Sequence, residues 1–174
     1  MSNTALLFVP GLRDHVYNHW QTLLAAKLPN AHTVAPLEAD KLSCAARVEA
    51  LQAALEKIDG PVILVAHSAG VMMVAHWAQT YSRPIKGALL ATPADVESAF
   101  PEGYPSTATL REHGWLPIPR KPLPFPSLLA ASRNDPLASF SRLQQLAADW
   151  QSELVDLGEV GHLNPAAGFG EWPE

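Results

Sequence analysis

Short apolar runs alternate along this chain with longer segments of helical period. The runs are Ala5–Val9, His32–Ala35, Val62–Ala66, Ala88–Ala91, Ser127–Ala131 and Glu153–Leu157. Three of them, ALLFV, VILVA and SLLAA, are apolar throughout or nearly so. That is the pattern of strands covered on both faces, and hence of a parallel sheet between helical layers. Between the runs, Leu42–Ile58 places Ala45, Val48, Leu51, Leu55 and Ile58 on one helical face, with Asp59-Gly60 as its stop. Tyr17–Leu28 carries Trp20, Leu23, Leu24 and Leu28, and Ser139–Trp150 carries Phe140, Leu143, Leu146 and Trp150. Ala69–Tyr81 is apolar on most sides, which predicts a central, buried helix. The repeated strand-helix unit predicts the α/β class: a three-layer α/β/α sandwich on a mostly parallel sheet of about six strands.

One stretch breaks the alternation. Residues 95–126 have little periodicity, and Pro101, Pro105, Pro117, Pro119, Pro122, Pro124 and Pro126 forbid a long helix or a central strand there. Irregular segments of ~30 residues inside a domain are uncommon and often wall a binding site. Its apolar members Phe100, Tyr104, Trp115, Leu116 and Phe125 exceed what a solvent-facing loop needs. With no internal repeat and no linker, residues 1–174 read as a single domain, and 95–126 as the proline-rich wall of its site.

Composition narrows the function. Hydrophobic residues make up 48% and charged residues 17% of the 174 positions, which excludes a disordered chain. The 12 Lys and Arg are scattered against 17 acidic residues, so no phosphate-tracking stripe exists and nucleic acid is excluded as a partner. The single Cys44 excludes an intrachain disulfide framework and fits a reducing compartment. The N-terminal apolar run, Ala5–Val9, is too short for a membrane span and lacks the basic flank of a signal peptide. A cytoplasmic protein without a membrane partner is the expectation.

The chemistry concentrates in Ala66-His67-Ser68-Ala69-Gly70, a small-x-Ser-x-Gly string between a predicted strand and a predicted helix. A serine on such a sharp turn needs small residues two positions to either side, because strand and helix pack closely there. The turn lifts the hydroxyl above the carboxyl edge of the sheet, where open α/β sheets bind ligands. Asp135 follows the strand Ser127–Ala131, and His162 follows the last strand, giving the chain order Ser, acid, His. Asp95, past the strand Ala88–Ala91, is the competing acid. Val9-Pro10-Gly11-Leu12 ends the first strand, so the backbone amides of Leu12 and Ala69 are the candidate oxyanion donors. Gly11, His67 and Trp115 are the candidate substrate-binding residues. His15 and His19 have metal-ligand spacing but no third ligand, so no metal is expected. His76 and Cys44 read as core residues. Without a G-x-G-x-x-G or a G-x-x-x-x-G-K-[ST] string, no nucleotide cofactor is expected either.

Four blocks together carry a family resemblance: Pro10-Gly11 with His19-Trp20-Gln21; His67-Ser68-Ala69-Gly70; Ser132-Arg133-Asn134-Asp135-Pro136; and Gly161-His162-Leu163-Asn164 with Gly168-Phe169-Gly170-Glu171-Trp172-Pro173. Over essentially its whole length the chain resembles the small α/β-hydrolases of the RBBP9/YdeN serine hydrolase family. It departs from them in stopping at Glu174, where relatives continue into a short closing helix. The resemblance implies a minimal α/β-hydrolase fold, with Ser68 as nucleophile, Asp135 as acid and His162 as base. It also implies hydrolysis of a small-molecule ester or amide without a cofactor. A thioesterase or acyltransferase with the same triad, and a non-catalytic binding module on the same scaffold, are the alternatives.

Overall fold

The computed structural model describes residues 4–13 and 17–170, so His15 and Glu171-Trp172-Pro173 lie outside the described residues. Strands β1 (Ala5–Val9), β2 (Ala31–Thr33), β3 (Val62–His67), β4 (Gly87–Ala91), β5 (Ser127–Ala131) and β6 (Glu153–Asp156) form one sheet. Its order is β2-β1-β3-β4-β5-β6, and every neighbouring pair is parallel. Alternation along the strands sends Leu7, Val9, Leu64, Ala66, Leu90 and Leu129 into one apolar cluster. That cluster is shared with helices α2 (Cys44–Glu56), α3 (Ala69–Thr80) and α5 (Phe140–Trp150). The opposite face, with Leu6, Phe8, Ile63, Val65 and Leu89, packs against α1 (Trp20–Lys27) and the segment containing Leu163 and Phe169. The result is the three-layer, minimal α/β-hydrolase fold, with a sheet that is parallel throughout.

Helix starts follow from capping. Ser43 Oγ accepts from the Ala46 amide at 3.2 Å, and Ser139 Oγ accepts from Arg142 at 3.3 Å. These caps begin α2 and α5 one or two residues later than the apolar pattern alone suggests. Strand β2 is shorter and earlier than the run His32–Ala35, because β1 leaves the sheet at Pro10 and the chain has no strand to pair with beyond Val34. No helix among the described residues is long and apolar enough to cross a membrane.

The proline-rich segment contains a six-residue helix, α4 (Thr107–Glu112), which the sequence pattern missed. It fits between Pro105 and Pro117, with Ser106 Oγ accepting from the Thr109 amide at 3.1 Å. Two buried tryptophans pin the segment, since an indole N–H inside a core needs an acceptor. Trp115 Nε1 donates to the Leu42 carbonyl at 2.8 Å, and Trp150 Nε1 donates to the Pro119 carbonyl at 2.7 Å. Leu116 and Phe125 pack toward the apolar core; Phe100 and Trp115 do so as well but also line the cavity at Ser68, as does Tyr104. The segment as far as Trp115 is therefore the wall, and the remainder is a strap along α5.

After β1 the chain crosses to β2 on one side, and after β2 it returns to β3 on the other. The carboxyl ends of β1 and β3, paired at Val9 and Ala66, thus flank the point where the strand order reverses. Crevices at such points are the usual ligand sites of open parallel sheets.

Candidate active site

Ser68 joins β3 directly to α3 with φ +59° and ψ −125°, a backbone conformation that side chains other than glycine rarely adopt. Packing forces it. A Cβ at Gly70 would stand 2.2 Å from the Val9 carbonyl oxygen and 2.8 Å from that of Pro10. Ala66, on the other side of the turn, is fully buried. The Ser68 amide donates to the Ala91 carbonyl at 3.1 Å, which ties the turn to β4.

Three side chains separated in sequence meet here. Ser68 Oγ lies 2.7 Å from His162 Nε2. His162 Nδ1 lies 3.0 and 2.9 Å from the two oxygens of Asp135. A carboxylate at Nδ1 keeps the proton there, so the Nε2 lone pair faces Oγ and the serine O–H donates. Asp135 is steadied by the Leu137 amide, which donates to Oδ1 at 2.9 Å. Asp95, the competing acid, is engaged elsewhere. Arg142 donates to both its oxygens at 2.8 and 3.1 Å, and Ser98 Oγ donates at 2.6 Å. Burial alone would raise the Asp95 pKa, but the bonds from Arg142 and Ser98 outweigh it and hold the carboxyl below its ordinary value.

The loop carrying His162 is held by the loop carrying Asp135. Gly161 N donates to Asn134 Oδ1 at 2.7 Å, and Val160 N donates to Ser132 Oγ at 3.3 Å. Gly161 has φ +59°, and a Cβ there would lie 2.9 Å from that of Ala167, so only glycine fits.

The candidate oxyanion donors flank Ser68. The Ala69 amide is the first of α3 and has no intrahelical acceptor. Leu12 belongs to the loop after β1, where its carbonyl accepts from Arg47 Nη2 at 3.1 Å. At Gly11 that loop passes directly beside the serine, at a distance where an added Cβ would be in ordinary contact with Ser68 Cβ, 3.4 Å away. A buried Gln21 braces the same corner. Its Nε2 donates to the Val65 carbonyl at 2.9 Å and to that of Val9 at 3.4 Å. Sequence reasoning gave Gln21 and Thr92 no role. For Gln21 the available signal was an uncharged polar side chain on the face of α1 that carries Trp20.

His67, expected at the substrate, lines the cavity but directs its ring elsewhere, donating from Nε2 to the His162 carbonyl at 2.8 Å. Burial pushes its pKa well below the ordinary histidine value, with His162 and His19 adding to the effect. His19 caps α1 by accepting from the Gln21 amide at Nδ1, and burial, with His162 adding, pushes its pKa down to about 4. A ring so engaged is a poor metal ligand, and no group of three metal-ligating side chains occurs among the described residues. His76, expected in the core, is only half-buried and bonds the Trp115 carbonyl at 3.2 Å, whereas Cys44 is a core residue whose thiol burial pushes up to about 12.

A cavity of about 340 Å³ opens on Ser68. Leu12, Val96, Phe100, Tyr104 and Trp115 give it a mostly apolar lining, with His162 and Ser68 at its floor.

Fold and site together define an α/β-hydrolase. A sequence profile of the serine hydrolase family matches residues 6–174, and the chain belongs to that family of enzymes. Among solved structures, a YdeN-like hydrolase of Pectobacterium atrosepticum is 34% identical with a TM-score of 0.82, the match covering 98% of this chain and 85% of that one. The ydeN gene product of B. subtilis is 17% identical with a TM-score of 0.72, over 99% and 94% of the two chains. Est1E of Butyrivibrio proteoclasticus, in a structure with ferulic acid bound, shares the fold at 12% identity and a TM-score of 0.71, over 97% and 86%. No protein of curated function matches the sequence significantly.

Proposed function

We propose that the protein is a cytoplasmic, carboxylesterase-like serine hydrolase that cleaves small carboxylic esters, and amides of similar size, through an acyl-enzyme on Ser68. The observation that carries this reading is the continuous hydrogen-bonded line from Ser68 Oγ through His162 to Asp135. His162 Nε2 takes the serine proton as Oγ attacks the acyl carbon, and Asp135 stabilises the imidazolium that forms. The amides of Leu12 and Ala69 donate to the tetrahedral oxyanion. His162 then passes its proton to the leaving alcohol or amine, and water repeats the sequence to release the acid. No step calls on a metal or organic cofactor.

The cavity supports small acyl groups. Its wall is pinned by Trp115, and the strap behind it by Trp150, so neither has the character of a hinged lid. On p-nitrophenyl esters from acetate to palmitate, kcat/KM falls once the acyl chain exceeds about six to eight carbons, because volume is limiting. An organophosphonate probe labels Ser68 in the wild type and nothing in Ser68→Ala, which also loses ester turnover. Labelling at another residue, or turnover surviving in Ser68→Ala, refutes the assignment.

A further inference from the structure

His67 is a buried, titratable side chain that the chemistry above does not use, and Thr92 is a strained one. They converge on a single atom. The His162 carbonyl oxygen accepts from His67 Nε2 at 2.8 Å and from Thr92 Oγ1 at 3.3 Å. Thr92 is fully buried at the end of β4 and has φ +37°, a conformation that β-branched residues avoid. Its amide is fixed to the Ala130 carbonyl at 2.8 Å, so the hydroxyl is presented from a rigid strand end. His67 is the last residue of β3. The acceptor lies between two left-handed residues, Gly161 at φ +59° and Leu163 at φ +52°, outside any strand or helix that would hold it. A carbonyl oxygen has two lone pairs, and two donors from adjacent strands saturate it.

We propose that His67 and Thr92 form a clamp on the His162 carbonyl that sets the imidazole at its height over Ser68. This rests on the assignment of Ser68 and His162 made above. Both are positioning residues: they act through the His162 backbone, and a displacement of about 1 Å at a reacting group costs up to about a hundredfold in rate. Burial keeps the His67 ring neutral, and a neutral ring bonded to a carbonyl through Nε2 must carry its proton there.

The test uses the full chain with His67→Phe, His67→Gln, Thr92→Val and Thr92→Ser, beside Ser68→Ala. Each variant is assayed with p-nitrophenyl acetate, for its rate of phosphonate labelling at Ser68 and for its melting temperature. Thr92→Val keeps the shape and loses only the donor, so it serves if His67→Phe does not fold. The expected result is a fall in kcat of about tenfold to a hundredfold for Thr92→Val and His67→Phe, with KM within about twofold. The labelling rate falls in parallel, and Thr92→Ser and His67→Gln, which restore a donor, recover most of it. Nitrogen NMR of the His67 ring is expected to show the Nε2-protonated tautomer. Folded Thr92→Val and His67→Phe with wild-type kcat, or the opposite tautomer, would overturn the clamp. An active Ser68→Ala would instead overturn the assignment beneath it.

Discussion

The two sides of the site are held in place by different physics. The Ser68 turn is fixed by close packing: Gly70 abuts the Val9 carbonyl, Ala66 is buried, and the strained backbone between them has nowhere to relax. The His162 loop is fixed by polar contacts: Ser132 and Asn134 hold its amides, Asp135 holds its ring, and His67 and Thr92 hold its carbonyl. At the turn the small residues are neighbours in sequence, and the surface they close against is the end of β1 at Val9 and Pro10. The loop draws its partners from the ends of β3, β4 and β5. Both sides need the assembled sheet, but one is written in a single short string that closes on β1, and the other is gathered from three strand ends.

That contrast can be broken from either side. The largest effect is expected from Asp135→Asn, which leaves the turn intact but frees the imidazole to take the wrong tautomer, lowering kcat by about 10⁴. Asp95→Asn, measured alongside, should leave turnover of the folded enzyme near wild type, because Asp95 serves Arg142 and not His162. Equal losses in the two variants would move the acid function. On the packed side, Gly70→Ala is expected to cost about 3 kcal/mol of stability in urea titrations, since the backbone must shift to admit the methyl group. Asn134→Ala is the matched lesion on the polar side. It should cost only about 1 kcal/mol, by releasing the Gly161 amide, but lower kcat severalfold. If Asn134→Ala proves the more destabilising of the two, the division between packing and polar contacts fails.

The same division explains what could be read from the sequence. Ala66, Ser68 and Gly70 lie within five residues, so spacing alone suggested their turn. Asp135 and His162 were legible as loop residues past strand ends. The convergence on the His162 carbonyl was not, because nothing in the neighbourhood of Thr92 encodes a partner 70 residues away. Helix α4 was hidden because prolines on both sides masked a single capped turn and a half. The pinning of the proline-rich segment was equally invisible: Trp115 and Trp150 advertise burial, but not which carbonyl each indole will reach.

The smallest expected effect is on stability against pH. His67, His19 and His76 are all held below the ordinary histidine value, chiefly by burial. Below about pH 6.5 the unfolded chain takes up protons that the folded chain refuses, so stability falls with pH until the folded-state values are reached, near 4 for His19. Above pH 7 these groups contribute no slope. Scanning calorimetry between pH 7 and pH 5 should show a steady drop in melting temperature, which His19→Asn makes shallower. A flat profile would mean that the rings are not buried in their neutral form.

Cys44 begins α2 directly beneath the cavity wall: its amide donates to the His113 carbonyl at 2.9 Å, and a Cβ at Gly114 would touch its own at 3.5 Å. A buried thiol raised to about 12 is inert toward alkylating reagents while the wall is seated. Its modification rate therefore reports how often the segment around α4 lifts from α2, independently of any substrate. One molecule thus carries two separately addressable reporters, a serine that reads the competence of the site and a cysteine that times the opening of its wall.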